Sequence, residues 1–301
     1  MPGPNASTAA TAATAPTARL IAPPDALRAC LYAALVRDTR PLGPALPPEQ
    51  RLNRFPALPF CGITWILDGG ATLLQPAGHP DLGPLPSCFV SGPQTAPFAS
   101  LNHGPIHTFC LVLHPAALLP LCGVAAGSLR DRHRPLHELL PADGPALDQA
   151  VRAAPDDAAR LAAATDWLLP RWQAAQAAQA ALAPAERGLA LLPELLRQAT
   201  VQGVASLLGW TSRHLERRSR QVHGLSPREL RSIQRGHDAV IGDSATLPLA
   251  DAALQHGYAD QPHMSRDWRR LTGLSPARLR ARLASDDESW WLYRLRRHGR
   301  P

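Results

Sequence analysis

Two segments of the chain place guanidinium, imidazole and carboxamide groups at matching positions: GWTSRHLERRSRQVHGLSPREL at 209–230 and GYADQPHMSRDWRRLTGLSPARL at 257–279. The first carries Arg213, His214, Arg217, Arg218 and Arg220, and the second Gln261, Pro262, His263, Arg266, Arg269 and Arg270. A guanidinium fork fits two acceptors in one plane, either the edge of a guanine or two phosphate oxygens, and a carboxamide fits the edge of an adenine. Such groups at the start of a helix can reach base edges in a major groove, which makes Arg213, His214, Arg217, Gln261, His263 and Arg266 candidate base contacts. Arg220, Arg269 and Arg270 lie further along and suit phosphates, which set register without reading sequence. Arg218 shares the same crowded helix, and Pro262 sits in a first turn, where its missing N–H is tolerated but donates to no base or phosphate.

The elements that must position these groups form an internal repeat. From Leu215 onward the copies run at an offset of 49, so that Leu215 faces Met264, Arg217 faces Arg266 and Gly224 faces Gly273; upstream the offset is 48, with Val201, Val204 and Ala205 facing Leu249, Ala252 and Ala253. Each copy reads as two helices. The first presents a small apolar face that allows close packing, and Gly209 or Gly257 ends it at a left-handed position. The second opens at a cap, Thr211 or Ser212 in one copy and Asp260 in the other. Gly224 and Gly273 close the second helices, and Ser226-Pro227 and Ser275-Pro276 open the next, with Ser as cap and Pro as first helical residue. Trp268 and Leu271 are core positions, and Trp210 and Tyr258 pack between helices.

These residues resemble the AraC/XylS family of bacterial transcription regulators over about 186–283, most closely in G-Y-x-D-x-x-H-x-S-R-x-W-R-R-x-T-G-L-S-P from Gly257 to Pro276. The resemblance implies two helix-turn-helix motifs joined by a long helix, here between Pro227 and Ile241, whose recognition helices enter successive major-groove turns. Three departures stand out. Ser219 replaces an aromatic core residue usual in the family's first copy, which predicts looser packing there. Gly236 interrupts the connecting helix at about 1 kcal/mol relative to Ala, and Pro262 has been noted.

The rest of the chain is different in kind. Of its 301 residues, 1–183 hold 12 Arg and 12 acids, whereas 184–301 hold 19 Arg and 12 acids, so the whole excess of +7 lies in the last third; every basic side chain except histidine is Arg. A neutral part joined to a basic one suggests that the basic part meets a polyanion. Five widely spaced cysteines without a C-x-x-C pair argue for a reducing compartment and against a disulfide framework or structural zinc. With no apolar run of membrane-spanning length and no export signal, the expected location is the cytoplasm, at the nucleoid.

The expected fold is α+β: a disordered Ala/Thr/Pro tail at 1–20, a mostly β, cupin-like sensor or dimerisation domain at 21–155, a helical connector at 156–184, an all-α double helix-turn-helix domain at 185–284 and a basic tail at 285–301. Within the β part, 25–37 has helical spacing, and the Pro-rich run 41–59 predicts irregular chain. Residues 61–67 and 71–75 around Asp68-Gly69-Gly70 read as a hairpin, and 87–91 and 107–114 as a second pair of strands. Helices follow at 115–122, 145–153 and from Asp156 to Leu182, the last kinked or divided at Pro170 and serving as linker or pairing helix. Residues 53–69 are similar to N-terminal segments of regulators in the same family. Trp65, Phe89, Phe98, Phe109 and Cys110 are either barrel core or pocket wall. His79, His103, His107 and His114 lack the His-x-His and downstream Glu of a metal-binding cupin, so no metal, no cofactor and no catalytic residue is assigned. The arginines of SWWLYRLRRHGRP either touch phosphates or belong to a docked end.

The function these features imply is sequence-specific binding of promoter DNA by a transcription regulator. RNA polymerase, a small-molecule effector and a second copy of the chain are open as further partners, and a membrane is not. The alternative is an enzyme, such as an alkyl-DNA repair protein, using the same DNA-binding module. It would require a four-Cys zinc cluster or a Pro-Cys-His acceptor, and neither occurs.

Overall fold

A computed structural model describes residues 16–75, 82–241 and 247–295. Its N-terminal part contains ten strands: β1 (Thr17–Ile21), β2 (Leu31–Asp38), β3 (Leu52–Phe55), β4 (Cys61–Asp68), β5 (Ala71–Gln75), β6 (Gly83–Pro84), β7 (Cys88–Ser91), β8 (Phe98–Asn102), β9 (His107–Leu113) and β10 (His133–Pro135). Five helices accompany them: α1 (Pro48–Arg51), α2 (Pro115–Cys122), α3 (Leu136–Leu139), α4 (Gly144–Ala153) and α5 (Asp157–Ala180). The strands form two sheets in the orders β1-β2-β9-β4-β7-β10 and β3-β8-β5-β6. Every pairing is antiparallel.

One face of the larger sheet carries the main core. Leu31, Ala34, Val36, Ile63, Trp65, Phe109 and Leu111 pack there against Leu118, Leu147, Leu161 and Leu168 from the helices. The opposite face looks across a cavity of about 230 Å³ at the smaller sheet. Both faces of β9 are therefore covered, and its side chains alternate between core and cavity. Trp65 and Phe109 belong to the helix-side core, whereas Phe89, Phe98 and Cys110 line the cavity.

Several local expectations are corrected. Residues 25–37 are not a helix: Asp25–Leu27 make one 3-10 turn and Leu31–Asp38 become a strand between β1 and β9. Its apolar run suits either period, and pairing on both edges decides it. Of the expected tail at 1–20, residues 1–15 lie outside the described residues, and Thr17–Leu20 belong to β1, which pairs along β2 while Arg19 reaches Asp157 at 2.5 Å. The Pro-rich run holds α1 and β3. β4 and β5 are strands joined at a left-handed Gly69 (φ 82°), but not a hairpin: β4 lies between β7 and β9, and β5 between β6 and β8. A side chain at Gly69 would meet the Pro105 carbonyl at 2.4 Å, so the turn is shaped by tertiary packing. β7 and β9 likewise flank β4 and do not pair with each other.

Helix α5 starts at an Asp156 cap and runs unbroken through Pro170. Pro170 and Asp166, whose carbonyl loses its donor, both lie on the exposed face, where the unpaired carbonyl is open to solvent. The buried side of α5, with Leu161, Ala164, Leu168 and Trp172, belongs to the N-terminal core.

The C-terminal part is helical: α6 (Pro184–Ala190), α7 (Leu192–Gln198), α8 (Val201–Leu207), α9 (Ser212–His223), α10 (Pro227–Ile241), α11 (Leu249–Gln255), α12 (Gln261–Thr272), α13 (Pro276–Leu283) and α14 (Trp291–Arg294). Two cores sit here. One joins Leu192, Leu196, Val204, Leu215, Leu230 and Ile233; the other joins Ala252, Ala253, Tyr258, Met264, Trp268 and Leu279. Leu271 of α12 crosses into the first core over Gly236 of α10. A Cβ at Gly236 would meet Leu271 Cδ1 at 2.1 Å. Gly236→Ala should therefore cost about 1–3 kcal/mol by overpacking, overriding the roughly 1 kcal/mol of helix propensity it would add. Thermal unfolding checks this. A stabilised variant would overturn it, and trimming Leu271 to Val in the same chain should recover part of the loss.

Candidate nucleic-acid interface

The two expected motifs are α8-α9 and α11-α12, with α10 as the joining helix. Their local chemistry repeats. Thr211 caps α9 by accepting from the His214 N–H at 3.2 Å, and Asp260 caps α12 by accepting from the His263 N–H at 2.6 Å. The aromatic residue before each cap then packs on that histidine: Trp210 on His214 at 4.6 Å between ring centroids, Tyr258 on His263 at 5.4 Å. Gly224 and Gly273 end the helices at φ 71° and 78°. The connecting helix begins with a reciprocal capping box, in which the Ser226 N–H donates to Glu229 and the Glu229 N–H donates to Ser226 Oγ. Ser275 stands at the N-cap of α13 but makes no side-chain cap bond. Ser219 is fully buried, and its hydroxyl donates to the Leu225 carbonyl at 2.7 Å, so the position is satisfied without an aromatic ring.

The buried sides of α9 and α12 anchor them through Leu215 and Ser219, and through Met264, Trp268 and Leu271. On the other side Arg213, Arg217, Arg220, Gln261, Pro262, Arg266, Arg269 and Arg270 are exposed, with His214, His263 and Arg218 half-buried. Arg213, Arg266 and Arg269 make no ion pair among the described residues. Arg217 leans on His214 at 3.5 Å, and Arg220 pairs with Glu216 at 2.8 Å. Arg218 is held by Glu186 and by Gln221. Arg270 bonds Ser232 at 2.7 Å and Asp267 at 3.0 Å. Burial opposes ionisation of Asp267, but hydrogen bonds from Ser232, Arg270 and Arg235 hold its carboxyl below the ordinary range. This acid ties α12 to α10.

The helical part also grips the N-terminal part. Arg130 donates to both carboxylate oxygens of Glu229, at 2.7 and 3.1 Å. Burial raises the carboxyl and these bonds, with those from Ser226, more than reverse it, to about 2. The Ala57 N–H donates to the Leu271 carbonyl at 2.8 Å. The segment after α13 is a docked end: Trp290, Trp291 and Tyr293 are buried, and Arg294 donates to the carbonyls of Ser285 and Asp287. Arg296, Arg297 and Arg300 lie outside the described residues. Of the two readings of this segment, phosphate contact or docked end, the docked end holds for Arg294.

The remaining chemistry-bearing groups serve structure. His103 bonds Thr72 at 2.8 Å, His107 faces Asp157 at 3.4 Å, and His114 packs against Tyr32 and Phe60; His79 lies outside the described residues. Among the described residues no group of three or more His, Cys, Asp or Glu gathers as a metal site. All five cysteines are free. Burial raises every one of their pKa values, Cys110 to about 11 and Cys30 and Cys122 to about 12, so they remain protonated thiols at neutral pH. No helix among the described residues is long and apolar enough to cross a membrane.

Residues 204–282 match a family model described as a helix-turn-helix domain. No curated protein matches the chain. Among solved structures it is similar to ToxT from Vibrio cholerae O395, with 12% identity, 78% of this chain and 97% of that chain covered and a TM-score of 0.41. An apo variant of ToxT from Vibrio cholerae strain SCE256 gives 13% identity, coverage of 83% and 96%, and a TM-score of 0.43. The family match, with the repeated caps beside it, leads to one assignment: residues 204–282 of this chain are a helix-turn-helix domain.

Proposed function

We propose that the protein is a transcription regulator that binds asymmetric promoter sites through α9 and α12, placed in successive major-groove turns on one face of the duplex. The observation that carries this reading is the equivalence of Arg217 and Arg266, one per repeat, both exposed in the second turn of a helix anchored by its buried side. Arg213, His214 and Arg217 read bases from α9, and Gln261, His263 and Arg266 from α12; Arg220 and Arg269 take phosphates. Arg218 and Arg270 reach DNA only by leaving Glu186 and Asp267. Pro262 contributes shape and no hydrogen bond. Burial keeps all five cysteines protonated, which supports a binding role over a repair enzyme with a cysteine acceptor. The cavity between the two sheets is the natural place for an effector, while RNA polymerase and a second copy are the protein partners this reading allows.

Selection of bound sites from a random duplex library, at fixed salt, tests it. The expected product is a motif of two boxes centred about one helical turn, ~34 Å, apart. One box alone would overturn the two-helix reading, and no enrichment by folded protein would overturn sequence-specific binding itself.

A further inference from the structure

A second cavity, of about 360 Å³, lies at the seam where strand β3 meets the second helix-turn-helix motif. That volume is in the range of small-molecule sites. One wall is Arg54 and Phe55 of β3, another is the corner between α12 and α13 at Gly273 and Leu274, and a third is Trp290 and Tyr293 of the docked end. Phe55 and Phe98, stacked at 4.6 Å between ring centroids, stand between this cavity and the one enclosed by the two sheets.

Two polar groups converge in it. Tyr293 is only 4% exposed, and its hydroxyl has no hydrogen-bond partner among the described residues. A buried hydroxyl left in that condition costs stability, so the position is not explained by folding. Arg54 is half-buried and makes no ion pair among the described residues. Its guanidinium lies 5.5 Å from the centre of the Trp290 ring and near enough to Tyr293 to oppose, by its charge, the rise that burial causes in the phenol pKa. The other charges at this cavity are engaged or open to solvent. Asp287 accepts from the Ser289 N–H at 3.0 Å and from its hydroxyl at 2.6 Å, and the Trp290 indole N–H leans toward Asp287 without closing a hydrogen bond. Arg282, exposed, balances Asp287 from 3.8 Å, and Glu49 is exposed on α1.

We infer that this seam cavity is a binding site for small phosphate monoesters with an apolar or aromatic body, their phosphate held by Arg54 and Tyr293. A guanidinium fork takes two oxygens of an anion in one plane. A carboxylate held that way has no third oxygen for the phenol, whereas a tetrahedral phosphate has one to accept the Tyr293 O–H. The body attached to the phosphate meets Leu52, Phe98 and Leu274, which ask for no hydrogen bonds. DNA recognition plays no part in this binding step, so it stands or falls apart from the proposed function.

The test uses the full chain and phenyl phosphate, with affinity from calorimetry at fixed salt. Wild type should bind it, and inorganic phosphate, which lacks the ring, should bind about tenfold more weakly. Tyr293→Phe should weaken binding about tenfold, the worth of a hydrogen bond to a charged group. The same substitution should leave the unliganded chain at least as resistant to heat as wild type, because the hydroxyl it removes has no partner, and this separates a binding role from a structural one. Arg54→Gln should lower affinity by at least about tenfold; if it folds poorly, Tyr293→Phe keeps the test valid. No binding to wild type, equal affinity for phenyl phosphate and inorganic phosphate, or unchanged affinity in Tyr293→Phe would each overturn the inference. Weaker binding of duplex DNA by either variant, with phenyl phosphate bound as before, would assign these groups to the DNA backbone and overturn it as well.

Discussion

Replacing Arg217 and Arg266 together by alanine is expected to weaken binding to the selected site by about 2–6 kcal/mol, roughly 1–3 for each base-reading arginine, with near-additivity because they sit in separate motifs. The two side chains occupy equivalent positions in the repeat, and neither is bound to a carboxylate. Titrations on the selected duplex and a scrambled one, each over a range of salt, separate the roles. A base-reading pair loses affinity on the selected site and little on the scrambled one. A phosphate-binding pair loses it equally on both, and each lost contact flattens the salt slope by about 0.9. Undiminished affinity on both would remove these arginines from the interface. Arg270→Ala serves as contrast: its guanidinium is engaged by Ser232 and Asp267, so part of its effect should appear as stability.

The second large effect concerns acid. His223, in the last turn of α9, is fully buried, and its ring bonds the Leu189 carbonyl at 2.8 Å. Burial pushes its pKa down to about 4; neighbouring His114 adds to the shift, and the Leu189 carbonyl opposes it. Above pH ~6.5 the ring is neutral in folded and unfolded chains alike, and no penalty exists. Between pH 6.5 and 4 the unfolded chain takes a proton that the folded chain refuses, so stability falls by about 1.4 kcal/mol per pH unit, or about 3 kcal/mol across the window. Thermal unfolding of wild type and His223→Gln from pH 7 to 4.5 should show this slope in the difference between them. His107 and His256, also lowered by burial, act in both proteins and cancel. Parallel pH profiles would mean that His223 is not the acid-sensitive group.

The helix-turn-helix domain was legible because its information is local. Thr211, Asp260, Gly224 and Gly273 are caps and stops whose hydrogen bonds close within a few residues, and the repeat shows the same arrangement twice. The β part was not legible to that degree. Leu31–Asp38 is apolar at both the helical and the strand period, and only its neighbours β1 and β9 select the strand. The Asp68-Gly69-Gly70 turn was read correctly as a turn, but its two strands join different sheets, a choice made through contacts distant in sequence.

Sequence alone determined the positions of α9 and α12, their caps, the side chains they present and the division of charge between the two parts, because short-range hydrogen bonding and helical period settle those features. Tertiary structure alone decided which presented arginines are engaged by acids, why a side chain at Gly236 would collide with Leu271, and that Trp291 enters the cavity between the sheets while Glu288 pairs with Arg37. Those outcomes depend on burial and on partners as much as 251 residues apart, and hydrophobic packing has no local signature from which such partners can be read.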